Sequence, residues 1–312
     1  MLTIIVALLI NASVFSINGI GEDLSVFQTP FIENTTLGQV GFTMNPEYTL
    51  LNEAGEYRGV FWTNPLNFSL SVPVVSGFSV TVGNMERLSQ NHDIYLQDSS
   101  LQIHALGEGG VEEVFAGINK RLGTFDIVAT GSYLFGNAWE IWTYSIGGYG
   151  LVDTFTYRYR GRIFNFGMKH KFFSVAYEGL SRLRMTKLDE DTLFIDLPER
   201  LSVSLTPPIG EWGLGFMYER SFWSEESYKS PHRFRLSAKR GAARFAYFYN
   251  PWYIDGVTEH GIDLDFRIPL RNVGSARIGM TIALRQRDGL REFKFAPSLT
   301  LVLNELFARR RK

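Results

Sequence analysis

Five histidines, His92, His104, His170, His232 and His260, are the side chains of this chain best suited to metal binding or proton transfer. None stands in HExxH or another spacing that sets two imidazoles on one ion. Asp189-Glu190-Asp191 is an acidic cluster in a turn, but it lacks the patterned loop of a calcium site and reads as a solvated turn. Ser89 with His92 is the kind of pair a hydrolase uses, yet no GxSxG or P-loop phrase accompanies it. These residues point to no enzyme, no cofactor and no metal site.

The elements that would have to carry any chemistry are more informative. Asp153 to Gly167 reads DTFTYRYRGRIFNFG. Phe155, Tyr157, Tyr159, Gly161 and Ile163 occupy odd positions; Thr154, Thr156, Arg158, Arg160 and Arg162 occupy even ones. Side chains alternate along a strand, so one face is aromatic and the other cationic. The arrangement suits a transmembrane barrel, with the rings expected on lipid and the arginines in the lumen. Tyr157 and Tyr159 share no face with the arginines, so no stacking surface for nucleic acid forms.

The net charge of −1 over 312 residues also gives no basic field for nucleic acid. Cysteine is absent, which excludes disulfides and thiolate metal sites. Aromatic residues make up 14%, and there are 30 glycines. Rings serve interfacial girdles, and glycine serves bends and close strand approach. Residues 1–16, MLTIIVALLINASVFS, read as a signal peptide for Sec export, although no Lys or Arg precedes the apolar run. A buried N-terminal strand is the other reading of that run. No later segment is apolar for long enough to be a spanning helix.

Residues 17–56 show little alternation and read as an irregular segment, a candidate luminal plug. Alternation then continues to about residue 307, followed by a basic tail at 308–312. His232, Phe234, Leu236 and Ala238 oppose Arg233, Arg235, Ser237 and Lys239. Ile262, Leu264, Phe266 and Ile268 oppose Asp263, Asp265, Arg267 and Pro269. Turn clusters are read at Gly107–Gly110, Gly147–Gly150, Pro207-Pro208, Asn250-Pro251 and Asp288-Gly289. The fold class expected is all-β: a transmembrane antiparallel up-and-down barrel of about 14 strands, within a range of about 12–16. A β-sandwich is the soluble alternative, disfavoured by alternating runs longer than its usual strands. Arg158, Arg160, Arg162, Arg233, Arg235, Asp263, Asp265 and Arg267 are expected to form a luminal charge network.

Gly107-Glu108-Gly109-Gly110-Val111, Val114-Phe115-Ala116-Gly117 and Gly131-Ser132-Tyr133-Leu134-Phe135-Gly136-Asn137 together resemble a hairpin of FadL-like outer-membrane proteins, the long-chain fatty acid and hydrocarbon transporter superfamily. Gly19-Ile20-Gly21-Glu22-Asp23 and Met44-Asn45-Pro46 are similar to that family's Gly-rich start and Asn-Pro phrase, although Glu47 replaces its alanine. Asn45, Pro46, Gly107, Gly109 and Gly110 are therefore read as a plug and turn motif. The resemblance covers about half the chain. It implies a 14-stranded porin-like barrel in a bacterial outer membrane, a luminal plug and passage of hydrophobic molecules such as fatty acids.

The expected function is thus an outer-membrane channel or transporter in contact with lipid and a hydrophobic small molecule. A non-transporting barrel that anchors or shuttles secreted proteins, with an envelope or secretion-system partner, stands beside it. So does a sealed structural barrel whose charges pair across the lumen.

Overall fold

The computed structural model describes residues 22–28, 37–53, 56–63, 66–97, 101–187, 192–224, 228–271 and 273–304. The signal peptide, Gly19 to Gly21, the acidic turn at 189–191 and the basic tail lie outside the described residues.

Every paired element is an antiparallel strand. In chain order they are β1 (Glu22–Asp23), β2 (Gln39–Met44), β3 (Pro46–Glu53), β4 (Glu56–Thr63), β5 (Asn67–Val75), β6 (Phe78–Ser89), β7 (His92–Gln97), β8 (Leu101–Leu122), β9 (Phe125–Ile146) and β10 (Tyr149–Lys169). They continue as β11 (Phe173–Lys187), β12 (Thr192–Ile195), β13 (Glu199–Leu205), β14 (Pro208–Ile209), β15 (Trp212–Phe222), β16 (His232–Arg240), β17 (Ala243–Pro251), β18 (Thr258–Leu270), β19 (Gly274–Arg287) and β20 (Leu290–Asn304). Several pairs are halves of one stave interrupted by a break: β2 and β3 both line β20, which closes the sheet. The result is a closed barrel of 14 staves with extra strands, as the alternation predicted. Its first stave starts at Gln39, inside the segment expected to be irregular. The break at Asn45 and the Gly and Asn residues nearby obscure the alternation there.

The lower part of the wall, towards the end that carries Gln39 and Asn304, follows the rule for a membrane barrel. Ile118, Ile127, Phe166, Leu236, Phe245, Phe266 and Ile278 are exposed on the outside, while Thr81, Asn119, Thr130, Asn165 and Ser202 are buried inside. A bilayer needs about 9–11 residues of tilted strand. The 22 residues of β8 and of β9 therefore rise well beyond it. The rim that carries Gln39 and Asn304 is called here the near rim, and the opposite one the far rim.

Above the apolar band the rule inverts. On β10, Phe164 and Phe166 face outwards and Asn165 inwards; further up, Arg158, Arg160 and Arg162 face outwards while Tyr159 and Ile163 are buried. The expected orientation of Arg158, Arg160 and Arg162 is thus reversed. The barrel interior at that height is filled by an apolar cluster, which includes Leu88, Val111, Leu134, Tyr159, Ile163 and Leu183. The outer face is out of the hydrocarbon there, so the charged side belongs outside. Trp252, Tyr253, Ile254 and Val257, between β17 and β18, join the cluster. Trp223 packs on Tyr253 at a tilt and Tyr228 meets it edge-on, at 4.9 and 5.0 Å between ring centroids.

Candidate functional site

Below the apolar cluster lies a layer of buried charge held together by two adjacent residues of β1. β1 sits in the lumen and pairs with the inward-bent end of β6, Glu22 opposite Ser89 and Asp23 opposite Leu88. Strand alternation points these two carboxylates in opposite directions. Asp23 accepts from Arg200 and lies 3.9 Å from Arg87. Glu22 accepts from Arg285 and, at 2.9 Å, from Lys294. One dipeptide therefore joins β6 and β13 to β19 and β20.

Each cation is shared further. Arg87 donates to Glu178 at 2.9 Å and lies 3.6 Å from Glu113. Arg233 donates to Glu219, Ser221 and Asn250 at 3.0, 2.6 and 2.8 Å. Glu259, Arg285 and Glu292 stand directly opposite one another on β18, β19 and β20, with Arg285 3.0 Å from Glu292. Lys294 also reaches Glu47 at 2.6 Å. Arg285, Glu219 and Glu292 are almost fully buried. Charges this dry persist only when paired and hydrogen-bonded, and removing one partner costs about 3–5 kcal/mol. Burial opposes ionisation of Asp23, yet Arg200, Arg87 and Arg233 outweigh it and hold the carboxyl well below its ordinary range.

Towards the near rim the lumen opens into two polar cavities. One, of about 450 Å³, is lined by Ser69, Ser71, Thr130, Asn165, Arg267 and Arg277 among others. The other, of about 420 Å³, contains Asn45, Arg235, Asp263 and Asp265. Arg235 pairs with Asp263 at 2.6 Å, and Asp265 accepts from Arg244 at 2.7 Å. The structure thus brings Arg233, Arg235, Asp263, Asp265 and Arg267 to the lumen and leaves Arg158, Arg160 and Arg162 outside it. Among the described residues no cluster of three or more His, Asp or Glu is placed to hold a metal ion.

The wall also has a seam. β5 and β6 are paired as far as Phe68 and Asn84. Beyond that point β6 turns inwards to meet β1, while β4, which continues the β5 stave, pairs only with β3 among the described residues. Side chains of the two strands make the last stitches: the Phe68 amide donates to Asn84 Oδ1 at 3.1 Å, and the Glu86 amide donates to Asn67 Oδ1 at 3.3 Å.

Glycines place this bend. A Cβ on Gly110 would lie 2.1 Å from the Leu88 carbonyl oxygen, and one on Gly136 would lie 2.1 Å from that of Gly110. Gly109 has φ +112° and its amide donates to Asn91 Oδ1 at 2.9 Å. Gly107, Gly109 and Gly110 therefore do not form the turn expected of them. They lie within β8, where a missing Cβ lets three backbones crowd together and β6 lean into the lumen. Asn45-Pro46 likewise marks the join between β2 and β3 rather than a plug.

In the sequence Glu22 and Asp23 stand out only as the end of the Gly-rich phrase, and Arg87, Glu178, Arg200, Glu219, Glu259, Arg285, Glu292 and Lys294 do not stand out at all. Most are single charged residues at inward positions of otherwise alternating strands. That weak signal becomes visible only once the register places Glu259, Arg285 and Glu292 side by side.

A closed transmembrane barrel with a luminal N-terminal staple, a plugged far mouth and a seam in its wall is the class of molecule these features define. Among solved structures, the chain is similar to the toluene transporter TbuX of Ralstonia pickettii, with a TM-score of 0.58 and 11% identity over 92% of this chain and 95% of that one. It is also similar to the toluene transporter TodX of Pseudomonas putida, with a TM-score of 0.54 and 9% identity over 93% and 95%. A FadL homologue of Pseudomonas aeruginosa gives 0.54 and 8% over 91% and 94%. No family model and no curated protein matches the chain. At these identities the likeness establishes the fold, which is the one the hairpin resemblance implied.

Proposed function

We propose that the protein is a bacterial outer-membrane channel for small hydrophobic compounds, with the near rim in the periplasm. The observation that carries this reading is the seam. Leu88, at the inward bend of β6, belongs to the apolar cluster, so apolar surface lies beside the point where β6 leaves β5. The axial route is unsuitable for an apolar molecule, because the buried layer around Arg285, Glu219 and Glu292 would have to be broken to admit it. A sideways route through the seam returns the molecule to lipid without crossing that layer. The fold shared with toluene transporters supports the same reading.

Uptake of labelled toluene or a long-chain fatty acid, in a strain lacking its own hydrophobic-compound transporters, tests it. Expression of the barrel should raise uptake. No gain, with heat-modifiable gel migration confirming a folded barrel, would overturn the reading. The same buried layer favours a second reading, a sealed barrel with no transport, which that negative result would support.

A further inference from the structure

The outward arginines of the far-rim extension have no part in the luminal site. On β10 and β11 the register sets Arg160 directly opposite Arg184 and Arg162 directly opposite Arg182, with Arg158 one pleat further up. All five are exposed. Like charges directly opposite one another destabilise a sheet, so nothing in the folding of these strands calls for them. Their neutralisation within the chain is sparse. Arg182 lies 3.9 Å from Asp196 and over the Phe194 ring, and Arg184 donates to Thr192 at 3.4 Å. Among the described residues no carboxylate is within ion-pair distance of Arg158, Arg160 or Arg162. Arg158, Arg160 and Arg184, with Asn137, Thr156 and Thr186, line an outward concavity of about 260 Å³.

The height of the patch decides what it faces. Phe164, Phe166 and Met168 continue the same outward face into the apolar band, with Ile127 opposite Met168 on β9, while the outward rings of Tyr133 and Phe135 stand directly opposite Arg162 and Arg160. Arg162 is two residues above Phe164, about 7 Å along the strand, and Arg158 about 20 Å. With a tilt of about 35–45° this spans the polar zone immediately outside the hydrocarbon. Guanidinium forks match phosphate oxygens with paired hydrogen bonds, and several forks on a rigid sheet fix that geometry in advance.

We propose that this patch is a binding site for the phosphate groups of lipid headgroups in the leaflet at the far rim, so that one face of the barrel holds its own annular lipid. The test is native mass spectrometry of the full-length barrel in detergent, titrated with lipid A, a bisphosphorylated diglucosamine lipid. Arg160→Gln with Arg184→Gln should weaken binding by about thirtyfold. Arg160→Lys with Arg184→Lys should retain most of it, and Lys239→Gln with Arg240→Gln at the near rim should change nothing. Heat-modifiable migration confirms the fold of each variant. Equal binding by wild type and the Gln pair would overturn the proposal. So would equal binding of dephosphorylated lipid A, which would assign the contact to acyl chains. Full displacement by millimolar inorganic phosphate would make it a free-anion site and also overturn it.

Discussion

Arg162 and Ile163 are adjacent in the chain and stand on opposite sides of the barrel wall, the arginine exposed and the isoleucine fully buried. A barrel whose lumen was polar throughout would have them the other way round. Their arrangement marks the height at which hydrocarbon ends outside and apolar packing begins inside. Ile163→Ala should destabilise the barrel by about 2–4 kcal/mol, while Arg162→Ala should stay within about 0.5 kcal/mol. Urea titration read by heat-modifiable migration distinguishes the two; comparable losses would refute the inversion.

The staple should respond to acid in one direction. The Asp23 carboxyl is held below its ordinary range, so its contribution is complete above the unfolded value of about 3.9 and falls as pH drops from there towards the folded value. Protease access to the N-terminal segment through loss of the Asp23 contacts should therefore be low near neutral pH and rise below about pH 4. Asp23→Asn should open the segment at neutral pH, because Arg200 and Arg87 lose a buried partner.

Planar-bilayer recordings should find no sustained ion current through the wild-type barrel, since the charged layer and the apolar cluster both cross the lumen. Deleting residues 22–28 removes Glu22 and Asp23 from that layer but leaves the apolar cluster in place, so this deletion alone should still carry no sustained current. A steady open pore in the wild type would contradict a stapled lumen.

The absence of cysteine makes the seam directly testable. Continuing the β5–β6 register beyond Phe68 and Asn84 sets Leu66 against Glu86. Leu66→Cys with Glu86→Cys, oxidised, should extend the pairing into the seam and abolish hydrophobic uptake, and reduction should restore it. Unchanged uptake in the oxidised barrel would place the route elsewhere.

Gly110→Ala should be poorly tolerated, because its Cβ meets the Leu88 carbonyl at 2.1 Å. Gly131→Ala is the control, with its nearest neighbour, a Phe164 ring carbon, at 3.5 Å. The first should lower the urea midpoint and alter uptake, and the second should do neither.

Much of this architecture was legible from alternation alone. Strands such as β18, with Leu264 and Phe266 against Asp263 and Asp265, carry a period of two that points to the fold class and separates the two faces. β10 misled because period two gives faces but no inside or outside. Only the packing of Tyr159 and Ile163 against Leu134 and Leu183 decides which face is the interior. The glycines near Gly109 misled differently, since a cluster that reads as a turn can equally mark crowded backbones. The staple was hidden because Glu22 and its partner Lys294 are 272 residues apart.

That separation has a consequence for assembly. Arg285 and Lys294 belong to the last two staves of the chain, so Glu22 can meet them only when the sheet has come full circle. Until then its carboxylate has no cation on that side and no reason to leave water. The N-terminal dipeptide thus acts as a latch that engages on completion, reporting within the lumen that the far end of the polypeptide has arrived.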